Sequence, residues 1–340
     1  MARVVVDAMG GDAGLSAVVE GVSRLTLEDH KIQVVLVGDA DEITHALGEH
    51  AHDPSKLLVT HSGPAVAMNE DPRTALEACP NASILVAMDI LARGEADALV
   101  SAGHTGATIL AASKHLERLP GIRRAALAAV FPTEQRHGPK DDPFALILDV
   151  GATLNASAED LVNFAIMGSA YANIISDNPN PRVALLSNGA EANKGTEAIK
   201  AAHQTLAVHP SISFAGNVEG LDIPRGTVDV IVCEGFLGNV VLKMLEGVTE
   251  VVTDLAKDAY ARKFLWRLGL TMLSQGLRQL RVMTDWKQYG GAPLLGFDKV
   301  VIKAHGRSNP RAIRNAIKVA AKAVDRDLAS QIRTGLQDIV

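Results

Sequence analysis

Eight short runs rich in β-branched residues punctuate this chain, and most of them run straight into a loop of glycine and small polar residues. The runs are Arg3–Val6, Ile32–Val37, Leu57–Thr60, Ala98–Ser101, Ala145–Asp149, Val183–Ser187, Val228–Cys233 and Val300–Lys303. Helical patterns fall between most of them, at Ala82–Arg93, Thr105–Leu119, Ala158–Ile175, Thr196–Val208 and Pro310–Leu328. Strands that alternate with helices build βαβ units, so the reading is an α/β protein with a mainly parallel sheet. No repeat with a period of 20 to 50 residues interrupts this order. Thr133–Asp142 and Asp177–Pro181 read as surface loops. The expectation is one unit over residues 1–340, carrying an inserted segment at 245–298.

Composition fits that reading. Hydrophobic residues make up 47% of the chain but aromatics only 4%, so the apolar bulk is Ala, Val, Leu and Ile, as in strands buried under helices. A net charge of −6 argues against a general nucleic-acid binder. The two cysteines, Cys79 and Cys233, lie too far apart in sequence to suggest a disulfide framework. The chain starts in a strand pattern without the marks of a signal peptide. It also has no run of 18 apolar residues, so the expectation is a cytoplasmic protein with no membrane span.

The strand ends carry the functional signal. They read DAMGGDAG (Asp7–Gly14), SAGHTGA (Ser101–Ala107), DVGAT (Asp149–Thr153), SNGAEANKG (Ser187–Gly195), CEGFLGN (Cys233–Asn239) and KAHGRSN (Lys303–Asn309). In a parallel sheet such ends share one edge, where open α/β folds bind ligands. Glycine lets backbone N–H groups approach an anion, and the helix that follows attracts it. Glycine also serves in ordinary tight turns. Six such loops favour a site for phosphate or another small anion, built from Asp7, Gly10, Gly11, Ser101, Gly103, His104, Thr105, Ser187, Asn188, Gly189 and Gly238. Familiar nucleotide motifs are missing: Met9 stands where GxGxxG needs its first glycine, and no GxxxxGK[ST] occurs.

DAMGGD, SAGHTGA, DVGAT, the SNG loop with its Lys194–Gly195 pair, GNVEG (Gly216–Gly220), EGFLGNVVLK (Glu234–Lys243), YGGAPLLG (Tyr289–Gly296) and KAHG resemble, in order and over nearly the whole chain, the bacterial phosphate acyltransferases of phospholipid synthesis, the PlsX family. The resemblance implies a Rossmann-like three-layer α/β/α fold related to phosphotransacetylases, and a homodimer. It implies conversion of acyl-[acyl carrier protein] and inorganic phosphate into acyl phosphate and free carrier protein, with no cofactor. Several positions depart from the family pattern. His104 replaces an asparagine, Thr153 another, Leu221 an arginine, and Glu234 and Leu237 stand in a usual DGFTGN. A catalytically diverged paralogue that binds acyl carrier protein or lipid as a regulator is the alternative these departures keep open.

A thioester is already activated, so the reaction needs no protein nucleophile. It needs phosphate held against the carbonyl and donors for the oxyanion that forms. Lys194 is the first choice to hold phosphate or stabilise developing charge, although it also reads as an ordinary solvated lysine. Asn239 offers an amide at a helix start, where simple capping is the competing role. Lys243 lies one helical turn later. His305 is an acid or donor at a strand end, and His104 a donor to phosphate. Asp7 and Asp12 repel a dianion and suit orienting or capping roles. Cys233 reads as a buried structural thiol rather than an acyl carrier. The histidines show no metal-ligand spacing, so no metal is expected.

Residues 257–287 stand apart. Seven basic side chains against two acidic ones give them a net charge of +5, which leaves −11 for the rest. Six of the twelve aromatic residues fall between 260 and 297, both tryptophans among them. Arg262, Lys263 and Arg267 next to Trp266, Leu270 and Leu273 suit an anionic membrane surface or the acidic carrier protein. The resemblance implies a protruding helical hairpin here that touches membrane peripherally. A dimerisation or core helix is the plainer reading.

Overall fold

The computed structural model describes residues 1–139, 141–262 and 290–337. The N-terminal stretch runs β1 (Ala2–Asp7), α1 (Gly14–Glu28), β2 (Ile32–Gly38), α2 (Ala40–Gly48), β3 (Leu57–His61), α3 (Pro72–Ala78), α4 (Ser83–Ala92), β4 (Ala98–Ser101) and α5 (Thr105–His115). The middle adds β5 (Ala126–His137), β6 (Asp142–Leu148), α6 (Ala158–Ser176), β7 (Arg182–Leu186), α7 (Glu197–Ala207), β8 (Ser213–Val218), α8 (Asp222–Arg225), β9 (Val230–Val232) and α9 (Gly235–Arg262). The chain then returns through β10 (Ala292–Leu295), β11 (Val300–Lys303), α10 (Pro310–Asp325) and α11 (Leu328–Gln337).

The described strands join one sheet in the order β3-β2-β1-β4-β11-β10-β5-β6-β9-β7-β8. The first five are mutually parallel, as are the last four. Between them lie three antiparallel pairings, β11 with β10, β10 with β5, and β5 with β6. Three reversals invert the sense of the sheet, so the two parallel halves point in opposite directions. The carboxyl ends of β1, β4 and β11 therefore lie on one edge, and those of β6, β7 and β9 on the other. This corrects the expectation of a single edge: strand spacing in a sequence does not encode strand direction.

Side-chain alternation divides the core into layers. On one face Val5, Leu99, Val301, Ile147 and Ile231 share an apolar cluster with Leu85 and Met88 of α4 and Ala111 of α5. This layer crosses both halves. On the other face the first half packs Val4, Val6, Val100 and Ile302 against α1 and α10. The second half packs Leu146, Leu148 and Val230 against Phe164 and Met167 of α6 and Ile332 of α11. A capping box between Ser157 and Asp160 starts α6.

Two sequence expectations change. Thr133–His137 continues β5 instead of forming a loop, and pairs with β6 through an irregular register. Glu134, Gln135 and Arg136 are exposed there, so alternation carries no burial signal. The inserted range 245–298 is entered along α9 and left through β10, which belongs to the sheet. Residues 263–289, where the expected hairpin would bend, lie outside the described residues.

Candidate functional site

A cavity of about 510 Å³ opens on the face covered by α5 and α9. Asp12, Thr105, Asn239, Lys243, Glu246, Lys303, His305 and Ser308 supply its polar lining. Ile109, Leu127, Val130, Val150 and Leu242 supply an apolar wall. Loops from both edges of the sheet contribute because α9 spans them. Its first N–H, from Gly235, donates to Thr153 Oγ1 at 3.1 Å, on the loop after β6. Four turns later Glu250 lies 3.6 Å from Arg307, beyond β11.

The glycine loops reach this place by backbone contact. A Cβ on Gly10 would fall 2.4 Å from the Gly103 Cα, so DAMGGD and SAGHTGA touch main chain to main chain. Gly11 has φ +105°, a conformation that favours glycine. The Gly306 carbonyl accepts the N–H groups of Asp12 (2.7 Å) and Ala13 (3.2 Å), which ties the start of α1 to the KAHG loop. Asn309 caps α10 through the Ala312 N–H (2.9 Å), and His104 caps α5 by accepting the Ala107 N–H at Nδ1 (3.2 Å). Residues in the first turns of α5 and α10 line the cavity, so two positive helix ends converge on it.

Beneath the polar end, Asp7, Ser101 and Lys303 stand in register on β1, β4 and β11, on one face of the sheet. Asp7 Oδ2 accepts the Ser101 hydroxyl at 2.8 Å, and Ser101 Oγ accepts the Gly103 N–H at 3.1 Å. Burial pushes the Asp7 carboxyl above its ordinary value, despite these hydrogen bonds. Burial likewise pulls the Lys303 ammonium down to about 8, against the pull of Asp7 and Asp12. Its Nζ donates to the Ala304 carbonyl. Sequence reasoning missed Lys303, because a strand-end lysine reads as solvated. Its place in KAHG, beside His305, was the available signal.

His305 accepts the Arg307 N–H at Nδ1 (3.1 Å), so the neutral ring carries its proton on Nε2. Partial burial holds its pKa below the usual 6.5, and the nearby Lys243, Lys303 and Arg307 act in the same direction, outweighing Glu246. The ring is neutral at pH 7 and acts as a donor. Asn239 and Lys243 both line the cavity, and Lys243 pairs with Glu246 at 2.7 Å.

Of the residues singled out by sequence, the structure gathers Thr105, Asn239, Lys243 and His305 at the cavity, with Asp7, Gly10, Gly11, Ser101, Gly103 and His104 just behind. Gly238 holds α9 against Asp149. Ser187, Asn188, Gly189 and Lys194 lie after β7, on the opposite edge, and do not line the cavity. There Asn188 Oδ1 accepts the Gly195 N–H (2.9 Å), and Lys194 is exposed. Cys233 is buried, its thiol is pushed up by burial, and it donates to the Asp149 carbonyl (3.4 Å), a structural arrangement. Arg262 ends α9, while Lys263, Trp266, Arg267, Leu270 and Leu273 lie outside the described residues.

Two departures from the family pattern have structural roles here. His104 caps α5 and Thr153 receives α9.

Known proteins agree with this architecture. A family model described as fatty acid synthesis protein matches residues 2–331. A phosphate acyltransferase of Thermosynechococcus vestitus is 41% identical over 339 residues, covering 100% of this chain and 96% of its own. One from Desulfitobacterium hafniense strain Y51 is 42% identical, covering 99% and 98%. One from Helicobacter pylori strain J99 is 40% identical, covering 99% and 96%. Among solved structures, a phosphotransacetylase from Streptococcus pyogenes superposes with a TM-score of 0.64 at 17% identity, covering 95% of this chain and 94% of its own. A second, from Staphylococcus aureus, gives 0.59 at 15%, with the same coverage. The fold is thus the Rossmann-like α/β fold of phosphotransacetylases, and the chain belongs to the fatty acid synthesis protein family, together with the phosphate acyltransferases.

Proposed function

We propose that this chain transfers an acyl group from acyl-[acyl carrier protein] to inorganic phosphate, giving acyl phosphate for glycerophospholipid synthesis. One observation carries the reading: a single cavity joins an anion-attracting end to an apolar wall. Converging helix starts and Lys243 suit a phosphate dianion. Ile109, Leu127, Val130 and Val150 suit the first carbons of a fatty acyl chain. Phosphate held between them attacks the thioester carbonyl. Fixing both reactants in one site lowers the barrier by up to roughly 7–11 kcal/mol in favourable cases. The Asn239 amide and His305 Nε2–H are assigned to the oxyanion, each worth about 3 kcal/mol when pre-aimed. No cofactor enters these steps.

The test is phosphate-dependent release of free carrier-protein thiol by the folded enzyme, with capture of acyl phosphate by hydroxylamine. Activity is expected with phosphate and none without it. Release independent of phosphate would mean thioester hydrolysis, and no release at all a non-catalytic binder of acyl carrier protein or lipid; either overturns the reading.

No single helix among the described residues is long and apolar enough to cross a membrane. We assign the basic stretch 257–287 to peripheral contact with anionic membrane or with the acidic carrier protein, and the working form to a cytoplasmic homodimer. The net charge of +5 supports the first assignment, as do Val248, Val251, Val252 and Leu255 exposed on the outer part of α9. Sedimentation with anionic and neutral vesicles, and light scattering for mass, test these two assignments.

A further inference from the structure

We propose that Lys303 is a further catalytic residue of this cavity, the acid–base group that moves a proton from hydrogen phosphate to the departing thiol. The inference rests on the acyl-transfer reading above. Lys303 is 7% exposed, yet it lines the cavity wall. Its partner across β4 is Ser101, which is already committed to Asp7 and to the Gly103 N–H. No carboxylate among the described residues lies within ion-pair distance of Lys303. One of its N–H groups donates to the Ala304 carbonyl, and no described residue takes the other two. A buried cation without a close counter-ion is costly to fold, and fits a place where substrate supplies the missing partner.

The other basic groups lining the described wall do not suit the role. His305 is neutral at pH 7, so it has no second proton to give. Lys243 is exposed and paired with Glu246. The charged groups facing Lys303 are Asp7 at the end of β1 and Asp12 before α1, with His305 beside it and Lys243 and Glu246 on α9. A lysine that titrates near 8 matches a thiol of ordinary pKa about 8.5.

The step balances. A phosphate oxygen forms the new C–O bond at the thioester carbonyl carbon, and the C–S bond breaks with its electron pair on sulfur. The Lys303 ammonium gives a proton to that sulfur. The acyl hydrogen phosphate then returns its P–OH proton to the neutral amine, so the enzyme ends as it began and no net proton is taken up.

The experiment compares wild type with Lys303→Arg, which keeps the cation but does not release its proton in this range. Phosphate-dependent thiol release from acyl carrier protein is followed from pH 6 to 10. Wild-type kcat/KM is expected to fall as pH rises through about 8, as the ammonium is lost. The variant is expected to lose roughly 100-fold or more in kcat with little change in the phosphate KM, and to lose the alkaline fall. A variant within about tenfold of wild-type kcat makes Lys303 a mere charge and overturns the proposal. If the variant fails to melt cooperatively, the wild-type profile decides, and a flat alkaline side overturns it. Wild type that releases no thiol overturns the acyl-transfer reading as well; an active wild type with an active variant leaves that reading standing.

Discussion

A Cβ built on Gly238 falls 1.9 Å from the carbonyl oxygen of Asp149. Helix α9 therefore rests on the loop after β6 main chain to main chain. Gly235 repeats the contact, its built Cβ 2.3 Å from the Thr153 carbonyl oxygen. The loop is rigid enough to serve as a seat. The Asp149 carboxylate accepts the N–H groups of Leu127, Gly151, Ala152 and Thr153 at 2.7–3.0 Å. Where α9 sits decides where Asn239 and Lys243 project.

Gly238→Ala is accordingly expected to impair catalysis through position. The methyl group must push α9 off its seat, and overpacking of this kind costs about 1–3 kcal/mol. A displacement near 1 Å is enough to cost about 100-fold in rate. The variant should melt lower than wild type and lose kcat, although residue 238 bears no functional group. Unchanged kinetics would show that α9 does not set the geometry.

Thr153→Val separates stability from chemistry. Valine keeps the shape but removes the oxygen that accepts the Gly235 N–H. The stranded buried donor should lower stability by about 1–3 kcal/mol. Because Thr153 does not line the cavity, kcat at a temperature where the variant is folded should stay near wild type. Urea unfolding and steady-state kinetics on one preparation measure both.

These cases show what the sequence made legible. Strands such as Ile32–Gly38 and Val300–Lys303 were visible because β-branched runs in a buried sheet have few competing readings. β5, β8 and β10 were not. The outer half of β5 is polar, β8 carries Gly216 at φ +90°, and β10 is four residues inside a motif read only as glycine-rich. The omission of β5 and β10 hid the three antiparallel pairings, and with them the reversal that sends the Lys194 loop to the far edge. Asn239, Lys243 and His305 were legible from glycine loops at strand and helix ends. Lys303 was not, because its burial is made by β4 and β10 lying on either side, which is a tertiary fact.

The exposed position of Lys194 leads to a kinetic prediction. A basic side chain outside the cavity, on a protein whose large substrate is acidic, acts on encounter more than on chemistry. Lys194→Ala is expected to raise the KM for acyl carrier protein a few-fold, more at low salt than at high salt, with kcat largely retained. A collapse of kcat at saturating substrate would place Lys194 among the groups that touch phosphate.

Acid sensitivity should trace to Asp229. Its Oδ2 accepts the Arg182 backbone N–H at 2.7 Å and the Arg182 Nε–H at 3.2 Å, while its Oδ1 accepts from Asn178 Nδ2 at 3.0 Å and lies 3.1 Å from His137 Nδ1. Burial alone would raise this carboxyl, but the hydrogen bonds and charges of His137 and Arg182 outweigh it and hold it below the ordinary 3.8. A depressed carboxylate stabilises the fold above the unfolded-state value, and that contribution disappears as pH falls through the folded-state value. Asp229→Asn should therefore cost about 1–3 kcal/mol at pH 7. The gap between variant and wild type should narrow as pH drops below about 4. Urea unfolding at pH 7, 5 and 3 reads this directly. A gap that stays constant down to pH 3 would mean that the Asp229 charge does not hold β7 and β9 to the β5 ribbon.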